Sequence, residues 1–231
     1  MAGLVHQSHA SEAVARSLRG KRFDAGSFLF QSLLLLGLLI SLALLVTLLA
    51  QVAAGGFGVL VDQGLEFLRK PISTLPHLAG VSQGLIGSAL LIVFVVLIAF
   101  PLGIGAAIYL EEYATDTRLS RFIDLNIRNL AGVPSIVYGI LGLAVLVEAM
   151  AGVTGGRSII AGGVTLALLV LPIVIITTAE AIRAVPLSVR EAGYGVGATR
   201  WDVTRRLVLP SAAPGILTGT VLSLSRALGE T

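Results

Sequence analysis

The chain has 231 residues, a formal net charge of +3 and no cysteine; 55% of its residues are hydrophobic and only 13% charged. So little charge, with a mean hydropathy of +0.94, cannot cover the surface of a soluble domain of this length. The absence of cysteine excludes disulfides, thiol chemistry and cysteine metal sites.

Residues 1–27 form a polar tail carrying Arg16, Arg19, Lys21 and Arg22; His6 and His9 lie there without a third metal ligand. Residues 28–54, FLFQSLLLLGLLISLALLVTLLAQVAA, contain no ionisable side chain. The run exceeds the ~20 residues that cross a hydrocarbon core of ~30 Å. It is too long for the apolar region of a secretory signal and reads as a retained first transmembrane helix. Residues 55–83 read as an external loop with a lone His77 and no motif. The same test finds spans near 84–110, 132–151, 158–183 and 213–231. The expected fold class is all-α: a polytopic membrane bundle of about five transmembrane helices.

Loop charge sets the orientation. Twelve of the sixteen Lys and Arg lie in the tail and in segments 111–131 and 183–213, against three in 55–83 and 152–157. The rich side is cytoplasmic, which places the N-terminus inside. On that side, Leu119, Phe122, Ile123, Ile127 and Leu130 recur at helical spacing, with Arg118, Arg121 and Arg128 on another flank. The pattern suggests a helix in the membrane surface, capped by Thr115 or Asp116, against the plainer reading of a juxtamembrane linker. Pro101 and Pro172 fall inside spans, where neighbours re-satisfy the backbone. Gly87, Ser88, Gly103, Gly105, Gly162 and Gly163 allow close helix packing. Glu148 and Glu180 sit near span ends and suit packing or interfacial roles.

Segment 186–212 is the most structured part outside the spans. Pro186 stops the preceding helix, and Ser188 three residues before Glu191 spells a capping box for a short helix. A turn falls near Gly197. Thr199 then caps a second helix, with Asp202 in its first turn and Pro210 as its close. A helix, glycine turn and helix of about 28 residues exceeds the usual ~2–8-residue connection. It suits docking into a partner's groove; the bland alternative is a solvated loop.

"EAGYGVGATRWDVTRRLVLP" resembles the coupling loop of bacterial ABC importer permeases: Glu-Ala-Ala, three residues, Gly, nine residues, then Ile-x-Leu-Pro. Glu191, Ala192 and Gly197 match, Ala198 to Arg206 form the nine, and Leu209 and Pro210 close the pattern. Gly193 replaces Ala, and Leu207 replaces Ile. The resemblance implies that Glu191, Ala192, Gly193, Gly197, Ala198, Arg200, Trp201, Leu209 and Pro210 contact a cytoplasmic ATPase. Glu191 then has two competing roles, cap and partner contact. "FPLGIGAAIYLEEY", "NLAGVPSIVYGILGL", "GRSIIAGGVTLALLVLPIVIITTAEAIRAVP" and "PGILTGTVLSLSRALGET" look like the phosphate-specific importer permeases, A-type more than C-type. This likeness covers residues 84–231, the permease domain.

Arg226 follows Pro214 by twelve positions, ~18 Å along a helix, and Glu230 lies one turn further. Gly219, Ser223, Arg226 and Glu230 form a stripe. A guanidinium at such depth costs at least ~2.5–3.5 kcal/mol and needs a partner or a wet cavity. One reading is a buried Arg–Glu pair that joins helices. The other is an anion station lined by Arg226, Glu230 and Ser223, in which Arg226 forks onto a tetrahedral oxyanion and pairs with Glu230 when the path is empty. The resemblance favours the second reading.

No phosphate-cradling G-x-x-x-x-G-K-[ST] occurs, and the only lysines are Lys21 and Lys70. No catalytic triad and no metal cluster appear. The expectation is a non-enzymatic permease subunit without a cofactor of its own, ATP and Mg being bound by the partner ATPase. The resemblance further implies a C-type permease partner, an external phosphate-binding protein, no nucleic acid, and a bacterial inner membrane. Rivals are a permease for sulfate or molybdate and an ion-coupled secondary transporter, for which only Glu230 qualifies. A purely structural membrane protein would leave Arg226 and the docking segment unexplained. The chain stops at Thr231 within an apolar helix, whereas the family continues, so a sixth span is expected in the complete protein.

Overall fold

A computed structural model describes residues 25–75 and 78–231. The basic tail, His6, His9 and His77 lie outside the described residues. The chain divides into two compact units, Met1–Leu68 and Arg69–Thr231. No strand occurs among the described residues.

The first unit is built on α1, Ala25–Gln63. It is longer than the sequence suggested at both ends, and residues 55–63 of the expected external loop belong to it. Gly55, Gly56 and Gly58 cost propensity, about 1 kcal/mol each. The helix nonetheless continues through them to Gln63. It ends at Gly64 (φ 54°). None of its residues is buried, as befits a helix apolar on every side.

The second unit runs α2 (Ser82–Ile108), α3 (Arg118–Ala131), α4 (Ser135–Leu141), α5 (Ile159–Arg183), α6 (Leu187–Gly195) and α7 (Arg200–Glu230). α2 continues into a π-helical turn, Tyr109–Tyr113, and α4 into a π-helical segment, Gly142–Ala149; a third π turn, Thr204–Val208, lies within α7. α5 is the centre, packed between α2 and α7. Val95, Ala99 and Phe100 of α2 meet Ala167, Val170 and Val174 of α5 and Ala227 of α7. Without a hydrophobic drive between helices in lipid, close approach does this work. A Cβ on Gly103 would lie 2.7 Å from Val174, and one on Gly163 2.6 Å from Phe94. Gly87 and Gly105 face open space and contribute no such contact.

Four helices are long and apolar enough to cross a membrane: α1, α2 with its π turn, α5 and α7. The span expected at 132–151 is different. It is one arm of a pair, Arg118–Ala131 and Ser135–Ala149, bent by 99° at Pro134. The second arm rises only about 22 Å, less than a ~30 Å core. The expected helix over 118–131 and the apolar segment after it are both present, joined by a sharp bend rather than running as one straight span. α3 is capped by Thr117, not by Thr115 or Asp116. Thr117 Oγ1 accepts from the Ser120 N–H (3.2 Å), and Ser120 Oγ accepts from the Thr117 N–H (3.3 Å). This reciprocal pair satisfies two orphan donors where either alternative would satisfy one.

Candidate coupling bracket and anion station

Segment 186–212 folds as a packed bracket. α6 starts directly after Pro186, whose extended backbone (φ −57°, ψ 143°) leads into the helix without a side-chain cap. The capping box expected from Ser188 and Glu191 is absent: Ser188 is already inside the helix, and Glu191 is exposed on its surface. Pro186 sets the start two residues earlier than a serine cap would. α6 ends in a Schellman motif, with the Ala198 N–H donating to Gly193 O (3.2 Å) and the Gly197 N–H to Tyr194 O (2.9 Å). Gly197 has φ 82°, a conformation that a Cβ disfavours. The expected turn thus stands where the glycine lies. Thr199 caps α7 as expected, its Oγ1 accepting from the Asp202 N–H at 3.2 Å.

Pro210 does not close the second helix. α7 continues from Arg200 to Glu230, because the π turn takes up the strain. The Leu209 N–H reaches back five residues to Thr204 O. The widened turn admits a ring that a tight helix would reject and absorbs its missing donor. The second helix of the bracket and the apolar span that follows it are consequently one rod. From Arg200 to Arg226 the rod rises about 39 Å.

The bracket has its own apolar centre: Ile182, Val185, Val203, Val208 and Ala212, edged by Val189, Ala198 and Leu207. Gly193, the departure from the family's alanine, lies against it. A Cβ there would meet Leu207 Cδ1 at 2.7 Å and Val203 Cγ2 at 2.8 Å. Close packing between α6 and α7 thus accounts for the glycine. Glu191, Ala192, Tyr194, Val196, Arg200 and Trp201 face outward, Trp201 54% exposed and Val196 85%. A concavity of about 500 Å³ opens among Gly193, Val196, Gly197, Ala198, Asp202, Arg206 and Leu207. Leu209 is half-buried and Pro210 exposed at the junction with the span.

The sequence reading passed over Glu111 and Glu112, in the π turn that ends α2. Glu112 pairs with Arg190 of α6 (2.7 Å), and Glu111 pairs with Arg183 at the end of α5. The guanidinium of Arg200 lies 5.5 Å above the Tyr113 ring, within cation–π range. The one available signal was two adjacent acids closing an apolar run, which need partners. Nothing local names those partners, 72 and 78 residues away.

The residues of the expected anion station part company. Ser223 is completely buried, and its hydroxyl donates to Gly219 O at 2.8 Å. With Gly219, which abuts Thr177 of α5, it belongs to the packed stripe. Arg226 and Glu230 are exposed. The Arg226–Glu230 pair expected in the empty state is not formed: neither joins an ion pair or side-chain hydrogen bond among the described residues. Glu230 lines a cavity of about 410 Å³ with Ser135, Gly139, Thr165 and Gly162. No group of three or more metal-ligating side chains occurs among the described residues.

Residues 99–231 match the family of binding-protein-dependent transport system inner membrane components. The chain belongs to this family of inner-membrane transport components, and its several apolar helices make it a multi-pass membrane protein. It is 32% identical to the phosphate transport system permease protein PstC of Mesorhizobium japonicum, over 94% of this chain and 73% of that protein. It is 39% identical to the phosphate transport system permease protein PstA of Yersinia pestis, over 66% of this chain and 50% of that protein. The "Probable ABC transporter permease protein YqgI" of Bacillus subtilis is 32% identical over 79% of this chain; the chain spans 63% of its length. Among solved structures, an inward-facing form of the MetNI methionine ABC transporter matches with a TM-score of 0.51 at 21% identity. That match covers 65% of this chain and 68% of the other, and it shows a shared fold.

Proposed function

We propose that the chain is the A-type permease subunit of an ATP-driven importer of inorganic phosphate. A C-type permease stands beside it, an ATPase docks on its cytoplasmic bracket, and an external binding protein delivers the anion. The observation that carries the reading is Arg226, an exposed guanidinium without a partner among the described residues, on the same continuous helix that begins in the bracket. A bare cation on a membrane helix must face water, a partner or an anion. Its planar fork of donors suits an oxyanion, and its charge is permanent. Relatives named for phosphate transport support the choice of anion.

In this reading Arg226 holds the passing anion, and Glu230, one turn on, repels it and limits residence. Ser223 supports the helix that carries them. Glu191, Ala192, Arg200 and Trp201 meet the ATPase, which binds ATP and Mg. The N-terminus and the bracket are cytoplasmic, in line with the distribution of positive charge. The test is uptake into proteoliposomes holding the full-length protein with its partners, phosphate competing with sulfate or molybdate. Phosphate is expected to be taken up preferentially. Preference for another oxyanion would reassign the substrate, and uptake without ATP would remove the importer class.

A further inference from the structure

We infer that Arg190 and Glu112 form a clamp that makes the docking helix and the cytoplasmic ends of two membrane helices move as one body. The inference rests on the docking reading above and names the residues through which movement would pass. Glu112 is 5% exposed, yet it closes α2 beside the membrane surface. Its Oε1 accepts from Arg190 Nε (3.1 Å) and from Nη2 (2.7 Å). The same guanidinium donates through Nη1 to Val185 O (2.7 Å) and through Nη2 to Ile182 O (3.0 Å).

The two carbonyls belong to the end of α5 and the residues just beyond it. Helix C-termini leave carbonyls unsatisfied and attract cations. One side chain on α6 therefore caps α5 and pairs with α2. The acceptors lie at the ends of both α2 and α5, so the planar fork has a defined orientation and ties α6 to each of them. A buried ion pair is an inefficient way to add stability alone. What it adds here is orientation: α2, α5 and α6 already meet in the apolar cluster of Ile182, Val185, Val189 and Ile108, and the guanidinium fixes how they face one another. The π turn at Tyr109–Tyr113 contributes by placing Glu111 and Glu112 together against α5 and α6. Such local widening of a helix is common at functional sites.

The chain has no cysteine, so paired spin labels at Thr115→Cys and Ser188→Cys, both exposed positions, report the spacing of α2's end and α6. In the complex of the full-length protein with its ATPase, the distance is expected to be the same with and without ATP-Mg. With Glu112→Gln or Arg190→Lys it is expected to shift or broaden when nucleotide binds. Those variants are also expected to hydrolyse at least about fivefold more ATP per phosphate imported, the low end of usual coupling strengths. Lysine keeps the charge and three donors, but they sit on one compact nitrogen without the planar fork that spans the Glu112 carboxylate and the two carbonyls. A nucleotide-dependent distance in the parent protein would overturn the clamp. So would unchanged distances and unchanged coupling in both variants, or loss of ATPase binding in both, which would make the pair a folding device. A parent protein that binds its ATPase but imports no phosphate would contradict the proposed substrate and leave the spin-label result to decide the clamp.

Discussion

Arg190 and Arg226 are the same side chain in opposite circumstances. Arg190 is mostly buried and gives its donors to a carboxylate and two helix-end carbonyls. Arg226 is exposed and gives its donors to nothing among the described residues. A satisfied guanidinium fixes geometry, and an unsatisfied one awaits a ligand or partner. On the proposed function, the difference separates a stiff bracket from the far part of α7, where the anion would bind and leave.

The contrast can be broken at several points. Arg190→Ala strands Glu112 as a buried charge and is expected to destabilise the protein by about 3–5 kcal/mol, read as a lower unfolding temperature in detergent. Trp201→Ala removes an exposed aromatic that packs on no buried cluster of its own chain. It is expected to leave that temperature unchanged and to weaken ATPase association by about 2 kcal/mol, the scale of an interface anchor, measured by titrating the ATPase. Gly197→Ala forces a Cβ into a left-handed conformation (φ 82°) and is expected to cost about 1–2 kcal/mol. Gly193→Ala sets a helix-propensity gain of about 1 kcal/mol against overpacking on Val203 and Leu207 of about 1–3 kcal/mol; a net loss of roughly 1 kcal/mol is expected. Arg121→Ala, at an exposed pair with Asp116, is expected to change stability by less than about 1 kcal/mol.

Much of this architecture is legible in the sequence. Spans announce themselves by length and lack of charge, and α1, α2 and α5 lie where the apolar runs lie. The turn at Gly197 and the cap at Thr199 are readable because each is decided within a few residues. Three features are not. The box from Ser188 to Glu191 satisfies the pattern of a cap, but Pro186 starts the helix first. Pro210 reads as a stop, yet a π turn lets α7 run through it, and that turn depends on packing around Thr204 and Val208. The partners of Glu111 and Glu112 are tertiary. At the anion station, spacing places Ser223, Arg226 and Glu230 on one stripe; packing against α5 divides them into one buried hydroxyl and two exposed charges.

The most direct test of the central claim is ATP-dependent phosphate uptake by complexes carrying Arg226→Ala or Arg226→Lys, compared at equal ATPase occupancy. Hydrogen bonds to a charged group are worth about 1.5–3 kcal/mol. The alanine variant is therefore expected to lose about 10–100-fold in uptake, and the lysine variant to fall between it and the parent. Uptake at the parent rate in both assembled variants would contradict the account.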